Sequence, residues 1–479
     1  MSGAAALAVL LSGAPAAADA GRGRPIETER VSQESPFLEC PGDTDTYMAN
    51  AETEPWVVVN PRDNRNIAVI WQQDRMFSGS SRGIVVAVTR DGGASWTSRP
   101  LPGFDPCSLG EDEPSYRGTN PYLTFTGDGS LIASVTSIGP TYRVVTVRSG
   151  NGGRTWDEPQ ILVDDPRSQA HDKQATAVDP RDPDRIYAVW NTRDLEADDH
   201  QLLFARSDDG GRSWAEPEPV YNPEGAAGTV GAQLVVQPDG SLLSVFFESD
   251  HAIGGPVEED LPEKIRAMRS TDGGQTWEEP VTVADIDLNI PLFPDTGDQL
   301  VAPGLVPDMA LDPRSGTVYA VWAEAGLSSS GSAAGISAST DGGRTWTEPR
   351  RIDQTPESSF GGPGQAFLPQ VDVDPRGRVA VTYYDFRRDT GAAGSKVDVW
   401  ATVCHFRCVS KDRDDWTEVH VGGSYEGLED TSTFFGGPFI GTYTSLASSR
   451  RGFVAAYTAP TGDPDNPQDI IVAQRRSWR

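Results

Sequence analysis

The chain has 479 residues, 40 of them Lys or Arg and 70 Asp or Glu, which leaves a net charge of −30. That balance argues against nucleic acid as a partner, because gripping phosphates needs a basic surface. Length alone would allow two or three domains, but an internal repeat points instead to one large repeat-built domain.

The chain opens on Met1 to Ala20, a small-residue-rich apolar stretch. Ala4–Leu11 fits the apolar part of an export signal, and Ala18-Asp19-Ala20 fits its cleavage site. No Lys or Arg precedes Arg22. The expectation is export, with 1–20 as the export segment and 21–479 as a single domain. The apolar run is shorter than the roughly 20 residues of a membrane-crossing helix, and no other stretch could span. Four cysteines fit an oxidising compartment. Cys40 and Cys107 fall in loops flanking the first repeat and are expected to pair. Cys404 and Cys408 cannot bond along a straight strand, where four residues span roughly 13 Å; a turn there would allow it. With His405 between them, they could also form half of a zinc site, but the second half is missing. No calcium-loop motif appears. No cofactor is expected.

A repeating phrase then begins. Trp56–Pro61 reads as a strand ending in a turn, Ile67–Trp71 as a second strand and Ile84–Val88 as a third. Similar pairs return at Tyr122–Gly127 with Leu131–Thr136, and at Ala175–Pro180 with Ile186–Trp190. Others are Gln233–Pro238 with Leu242–Phe246, Met309–Pro313 with Val318–Trp322, and Val371–Pro375 with Val379–Tyr383. After the third strand of five units comes one motif: Thr89–Trp96, Ser149–Trp156, Ser207–Trp214, Ser270–Trp277 and Ser339–Trp346. In Ser339-Thr340-Asp341-Gly342-Gly343-Arg344-Thr345-Trp346, the aspartate can accept hydrogen bonds from its own turn, and the glycines allow positive φ. Trp346 is expected to re-enter the sheet as a buried anchor. The second copy carries Asn151 in place of Asp. A sixth, degenerate copy runs from Ser410-Lys411-Asp412 to Trp416.

Repeated units of four short strands predict an all-β fold, a β-propeller of four-stranded blades. Seven blades are expected, with six as the alternative. The last unit offers three strands, Thr442–Leu446, Phe453–Tyr457 and Ile470–Gln474. Ile26–Val31 from the other end of the chain could supply the fourth and leave no open edge.

Strand alternation sends the repeated motif to one face of the ring. The loops between strands two and three, and between blades, go to the other face. Those loops carry the candidates for a site. Strand-end positions give Asp74 and Arg75, Arg193 and Asp194, Glu248 and Asp250, Glu324, and Asp385 with Arg387. Inter-blade loops give Glu54 and Trp56, Asn120 and Tyr122, His171-Asp172-Lys173, Asp308, Gln370, and Gly436–Tyr443. Arg75, Arg193 and Arg387 suit an anion, since a guanidinium grips a carboxylate bidentately. The strand-end Asp–Arg neighbours could equally be local ion pairs holding long loops. The segment Asp285–Pro307 reads as a long loop with Leu292 and Phe293 exposed.

The repeated motif resembles the Asp box, S-x-D-x-G-x-T-W, of the sialidase superfamily. The likeness covers nearly the whole chain after the export segment. Trp71–Arg75, Pro307–Trp322, Val381–Arg387 and Gly423–Leu428 bring it nearest to the exported sialidase-like proteins of actinobacteria. The resemblance implies a glycoside hydrolase acting on an extracellular glycan. Its site plan implies Arg75, Arg193 and Arg387 around a substrate carboxylate, Asp74 or Asp385 as the acid, and Tyr443 or Tyr425 as nucleophile. Glu248 or Glu324 would assist the tyrosine. Asp308, Gln370, Trp56 and Tyr122 would line the funnel. The Arg-Ile-Pro phrase of such enzymes has no counterpart here. The fold also serves non-catalytic glycan- or protein-binding propellers and polysaccharide lyases, and these remain alternatives.

Overall fold

The computed structural model describes residues 26–40, 47–109, 116–197, 199–223, 228–249, 263–288, 290–301, 306–390, 394–434 and 436–475. The expected export segment and Asp250 lie outside them.

The strands form five separate four-stranded sheets, one of eight strands and a two-stranded hairpin. The large sheet is two sets of four joined by a single bridge, Ser81 to Gly118. Each set is an antiparallel meander with one innermost strand. In chain order these are Thr53–Val59, Arg117–Phe125, Gln169–Val178, Gly228–Val236, Asp308–Leu311, Ala366–Val373 and Ser445–Ser449. Each contacts the innermost strand of the next set, and Ser445–Ser449 comes back against Thr53–Val59. The sets are therefore blades of a closed ring. The last blade takes its outer strand from the start of the chain: Glu27–Arg30 pairs antiparallel with Asn466–Arg475, Glu27 opposite Gln474. This removes the edge that an unpaired strand would leave.

Blades of alternating strands bury both faces, so the core is a series of interfaces between neighbours. Tyr187 and Phe204 of the third blade pack with Phe246 and Met268 of the fourth. Val245 and Phe247 of the fourth pack with Val318, Ala320 and Trp322 of the fifth. Trp71, Trp190 and Trp322 occupy one strand position in three blades and are sealed from solvent.

The Asp boxes close the turns between the third and fourth strands. Asp341 Oδ1 accepts from the backbone N–H groups of Arg344 and Thr345, both at 3.0 Å, while Thr345 Oγ1 donates to Oδ2 at 2.6 Å. Ser339 Oγ donates to Asp341 at 2.8 Å and accepts from the Gly343 amide at 2.8 Å. Asn151 reproduces the backbone bonds in the second copy. The second glycine matters beyond its φ of 88°: a Cβ on Gly343 would lie 2.4 Å from Leu243 Cδ1 of the preceding blade. The motif thus seats each blade on its neighbour. Its tryptophans are half-buried rather than sealed; Trp277 meets Phe204 edge-on at 5.5 Å.

Two further expectations change. The chain turns at Arg407, in the left-handed region (φ 56°), so Cys404 and Cys408 come to a Cα separation of 5.8 Å and bond. Cys40 and Cys107 also bond. Thiols in disulfides are not free to ligate zinc. Phe293 is not exposed: it is 3% accessible and belongs to the core between the last two blades. Leu292 is half-buried, held by Gln365 through 2.8 Å bonds to its N–H and carbonyl.

Candidate functional site

One irregularity recurs on the innermost strands. Their pairing slips by a bulge between Thr53 and Trp56, Thr119 and Tyr122, Asp172 and Ala175, Val230 and Gln233, and Phe367 and Gln370. A left-handed residue sits in each: Glu54 (φ 53°), Asn120 (51°), Lys173 (50°), Gly231 (69°) and Leu368 (49°). Non-glycine residues rarely adopt that conformation, and a bulge re-aims the side chain it carries. On three consecutive blades the re-aimed side chains are polar, and they meet.

Lys173 Nζ donates to Asn120 Oδ1 at 2.7 Å, to Thr442 Oγ1 at 2.6 Å and to Glu54 Oε1 at 3.2 Å. Glu54 also accepts from the Thr442 N–H at 3.1 Å, from Thr442 Oγ1 at 2.6 Å and from Gln72 Nε2. Burial alone would raise the Glu54 carboxyl; Lys173, Arg75 and the two Thr442 bonds outweigh it and hold the carboxylate below its usual range. Asn120 donates to Asp172 through its other amide atom. Asp172 shifts the opposite way. Surrounding protein raises its pKa, Lys173 opposes and the Glu54 charge adds to the rise. Its carboxyl is nevertheless open to solvent, so water moderates that rise. Two neighbouring carboxyls pushed in opposite directions are the usual mark of an acid and its fixed counter-charge.

Aromatic rings flank this cluster. Trp56 stacks on Tyr122 at 4.1 Å and meets Tyr443 edge-on at 5.9 Å. Lys173 Nζ lies 5.1 Å from the Tyr443 ring centre. Arg75 joins through Gln72, whose Oε1 accepts from it at 2.5 Å; its guanidinium lies over Phe439 and Phe434, at 4.6 and 5.2 Å. Burial pulls Arg75 down to about 10.

Of the candidates read from the sequence, Glu54, Trp56, Arg75, Asn120, Tyr122, Asp172, Lys173 and Tyr443 therefore come together. Asp308 and Gln370 stand at the equivalent inner positions of two other blades, but both are buried. Asp308 Oδ2 accepts from the Val371 N–H at 2.8 Å, and Gln370 Nε2 donates to the Pro369 carbonyl. The remaining candidates have other partners. Asp74 accepts from Ser35 Oγ at 2.6 Å and the Asn50 N–H at 2.9 Å, tying the chain's early segment to the first blade. Glu248 accepts from the Tyr221 hydroxyl at 2.5 Å. Glu324 accepts from Trp322 Nε1 at 3.1 Å and the Gly326 N–H at 2.9 Å. Asp385 accepts from Thr355 Oγ1 and pairs with Arg387.

The same Arg387 forks onto both Glu418 oxygens at 2.7 Å and lies 3.9 Å from the Trp400 ring. Glu418 is on the outermost strand of the sixth blade, so Arg387 reaches outward, whereas Arg75 reaches toward Phe434 and Phe439. Arg193 stands opposite Ala170 and His200 in the third blade. The Tyr443 hydroxyl donates to the Pro121 carbonyl at 3.1 Å, and burial raises its pKa far above the usual range, with Glu54 and Asp172 adding. The Tyr425 hydroxyl shares a 2.9 Å bond with Tyr457. His171 is held on both nitrogens, by Trp190 and Asp165.

Residues 126–287 match the family of BNR repeat-like domains, the same stretch in which three of the boxes were read. That stretch of the chain is BNR repeat-like. A xyloglucanase of a Paenibacillus species is 27% identical to this chain over 246 residues, 47% of this chain and 20% of that one. The chain thus spans about a fifth of the length of that curated relative. Similar solved structures include a Hadza microbial sialidase, at 14% identity over 94% of this chain and 92% of that one, TM-score 0.46. An α-L-arabinofuranosidase of Fusarium graminearum shows 12% identity over 81% and 99%, TM-score 0.48. An α-L-arabinanase of Penicillium chrysogenum shows 10% over 95% and 99%, TM-score 0.46.

Proposed function

We propose that this BNR propeller is an exported glycoside hydrolase that cleaves an extracellular glycan at the mouth of its funnel, with Asp172 as the proton donor. One observation carries the reading: an exposed carboxyl of raised pKa beside a buried, ionised one, flanked by Trp56, Tyr122 and Tyr443. Asp172 would protonate the leaving oxygen as the glycosidic C–O bond breaks. Water would supply the new anomeric hydroxyl and return a proton. Glu54 and Lys173 are positioning residues: their charges fix Asn120 and, through it, Asp172. The chemistry requires no cofactor. The two disulfides support an oxidising destination, and no helix among the described residues is long and apolar enough to cross a membrane.

The finer, sialidase-type reading assigns Tyr443 as nucleophile and three arginines as a clamp. A tyrosine that donates to a backbone carbonyl and carries a raised pKa is a poor nucleophile, so the carboxyl reading is preferred. A second reading, glycan binding without turnover, has its own support: Glu54 is 2% accessible and its oxygens are already bonded, leaving no second open carboxylate in the cluster.

The test is release of reducing ends from a panel of polysaccharides and aryl glycosides. Turnover that Asp172→Asn lowers by roughly 100-fold or more, with the alkaline limb of the pH profile lost, supports the proposal. Turnover untouched by Asp172→Asn removes Asp172 from the chemistry. Binding without turnover on every substrate favours the second reading.

A further inference from the structure

A cavity of about 690 Å³ is lined in part by the hairpin whose Phe434 covers Arg75. Its walls come from the segment after the fourth blade, the sixth-blade loop at Gly394 and Ser395, and the turn Gly436–Pro438. Each wall is tied down. Ser395 Oγ donates to Asp295 Oδ1 at 2.9 Å. The Val301 N–H donates to the Pro438 carbonyl at 2.9 Å. The turn itself is a short hairpin, Thr433–Phe434 against Gly437–Pro438. Gly437 packs so closely that a Cβ there would lie 2.7 Å from Val301. The hairpin is a shared partition: Gly436, Gly437 and Pro438 face the cavity, while Phe434 lies over Arg75. Arg75 reaches Glu54 through Gln72.

The lining sorts into two kinds. Pro438 and the edges of the largely buried Phe293 and Val301 give an apolar wall, and Asp295, Asp298 and Glu429 offer acceptors; no Lys or Arg lines the cavity among the described residues. The volume falls in the range of small-ligand sites, roughly 300–1,000 Å³. An apolar wall with acceptors around it matches a sugar ring, whose C–H face is apolar and whose hydroxyls donate. Three carboxylates with no Lys or Arg among the described lining residues repel a sugar that carries its own carboxylate.

We infer that this cavity is a second sugar subsite, taking an uncharged, hydroxyl-rich unit of the glycan whose scissile bond lies at Asp172. It deepens the hydrolase reading by assigning the substrate class: a neutral glycan rather than a sialylated one. It rests on that reading for the ligand being a glycan and for the scissile bond lying at Asp172.

Binding can be measured without turnover, by isothermal titration of the full chain with cellotetraose, xylotetraose, arabinotetraose and 3′-sialyllactose. The expected result is that at least one neutral tetrasaccharide binds and sialyllactose binds at least tenfold more weakly. The variant Asp298→Asn with Glu429→Gln should lose at least tenfold affinity for the neutral ligand. Both residues are exposed, so its thermal transition should match the parent's. A saturation-transfer experiment on the bound sugar should lose its contacts in the same variant. Asp172→Asn should retain neutral binding, so failure of the catalytic proposal and failure of this one read out separately. Unchanged affinity in the double variant, preferential binding of sialyllactose, or binding of none of the four overturns the inference.

Discussion

Asp308 is the residue whose behaviour can be worked out most fully. It sits on the innermost strand of the fifth blade, 7% accessible, and accepts from the Val371 N–H of the next blade at 2.8 Å. Burial raises its pKa from 3.8 to about 7, with Asp372 adding and the Val371 and Met309 amides opposing. Between those two values the folded protein holds a proton that the unfolded chain has released. Stability is therefore fully present below about pH 4 and is lost as pH rises toward 7. A shift of about three units corresponds to about 4 kcal/mol. Asp308→Asn keeps an oxygen to accept from Val371 but cannot titrate. The assay is urea unfolding of parent and variant at pH 4, 5.5 and 8. The variant should gain on the parent by a few kcal/mol between the first and last, with the change centred between pH 4 and 7. Equal loss of stability in the two proteins across that range would refute the reasoning.

Other consequences are simpler. Gly343→Ala should lower stability by about 2 kcal/mol or more, because the new Cβ meets both a left-handed φ and Leu243. Gly297→Ala, at φ 75° with nothing within 4 Å of the new atom, should cost only the backbone term, about 1 kcal/mol; thermal melts of the two variants make the comparison. Lys173→Met should destabilise by about 3–5 kcal/mol, since it strands the buried Glu54 carboxylate. Adding Glu54→Gln should recover much of that loss, and no recovery would show that the pair does not act as a unit.

The architecture was legible in the sequence because it rests on local chemistry that recurs. Asp341, Gly342, Gly343 and Trp346 specify a turn by themselves, and five copies of that turn space the strands. Even the closing strand could be placed, because the last unit lacked a fourth member and Glu27–Arg30 lay free at the other end. The site was legible only in part. Trp56, Tyr122, Tyr443 and Arg75 were chosen from loop position and do meet. Glu54, Asn120 and Lys173 were named from the same loops, but their meeting was not legible, since nothing about Glu, Asn or Lys announces a left-handed bulge. The usable hint was their spacing, each two residues before the first inward position of an inner strand. Asp74, Asp385, Glu248, Glu324 and Arg387 were chosen from strand-end position in the same way as Arg75, and each has partners nearby that the sequence does not reveal. Arg387 and Glu418 are 31 residues apart and meet only because Arg387 reaches across Trp400 of the intervening strand.

The sequence by itself thus determined the repeat, the strand alternation and the face on which a site could lie, because each depends on residues close along the chain. The folded arrangement settled which charges share a hydrogen bond, which carboxyl is pushed toward its protonated form and where Phe293 packs. Those depend on bulges that turn inner-strand side chains and on ring closure, which brings Thr442 from one end of the fold against Glu54 from the other.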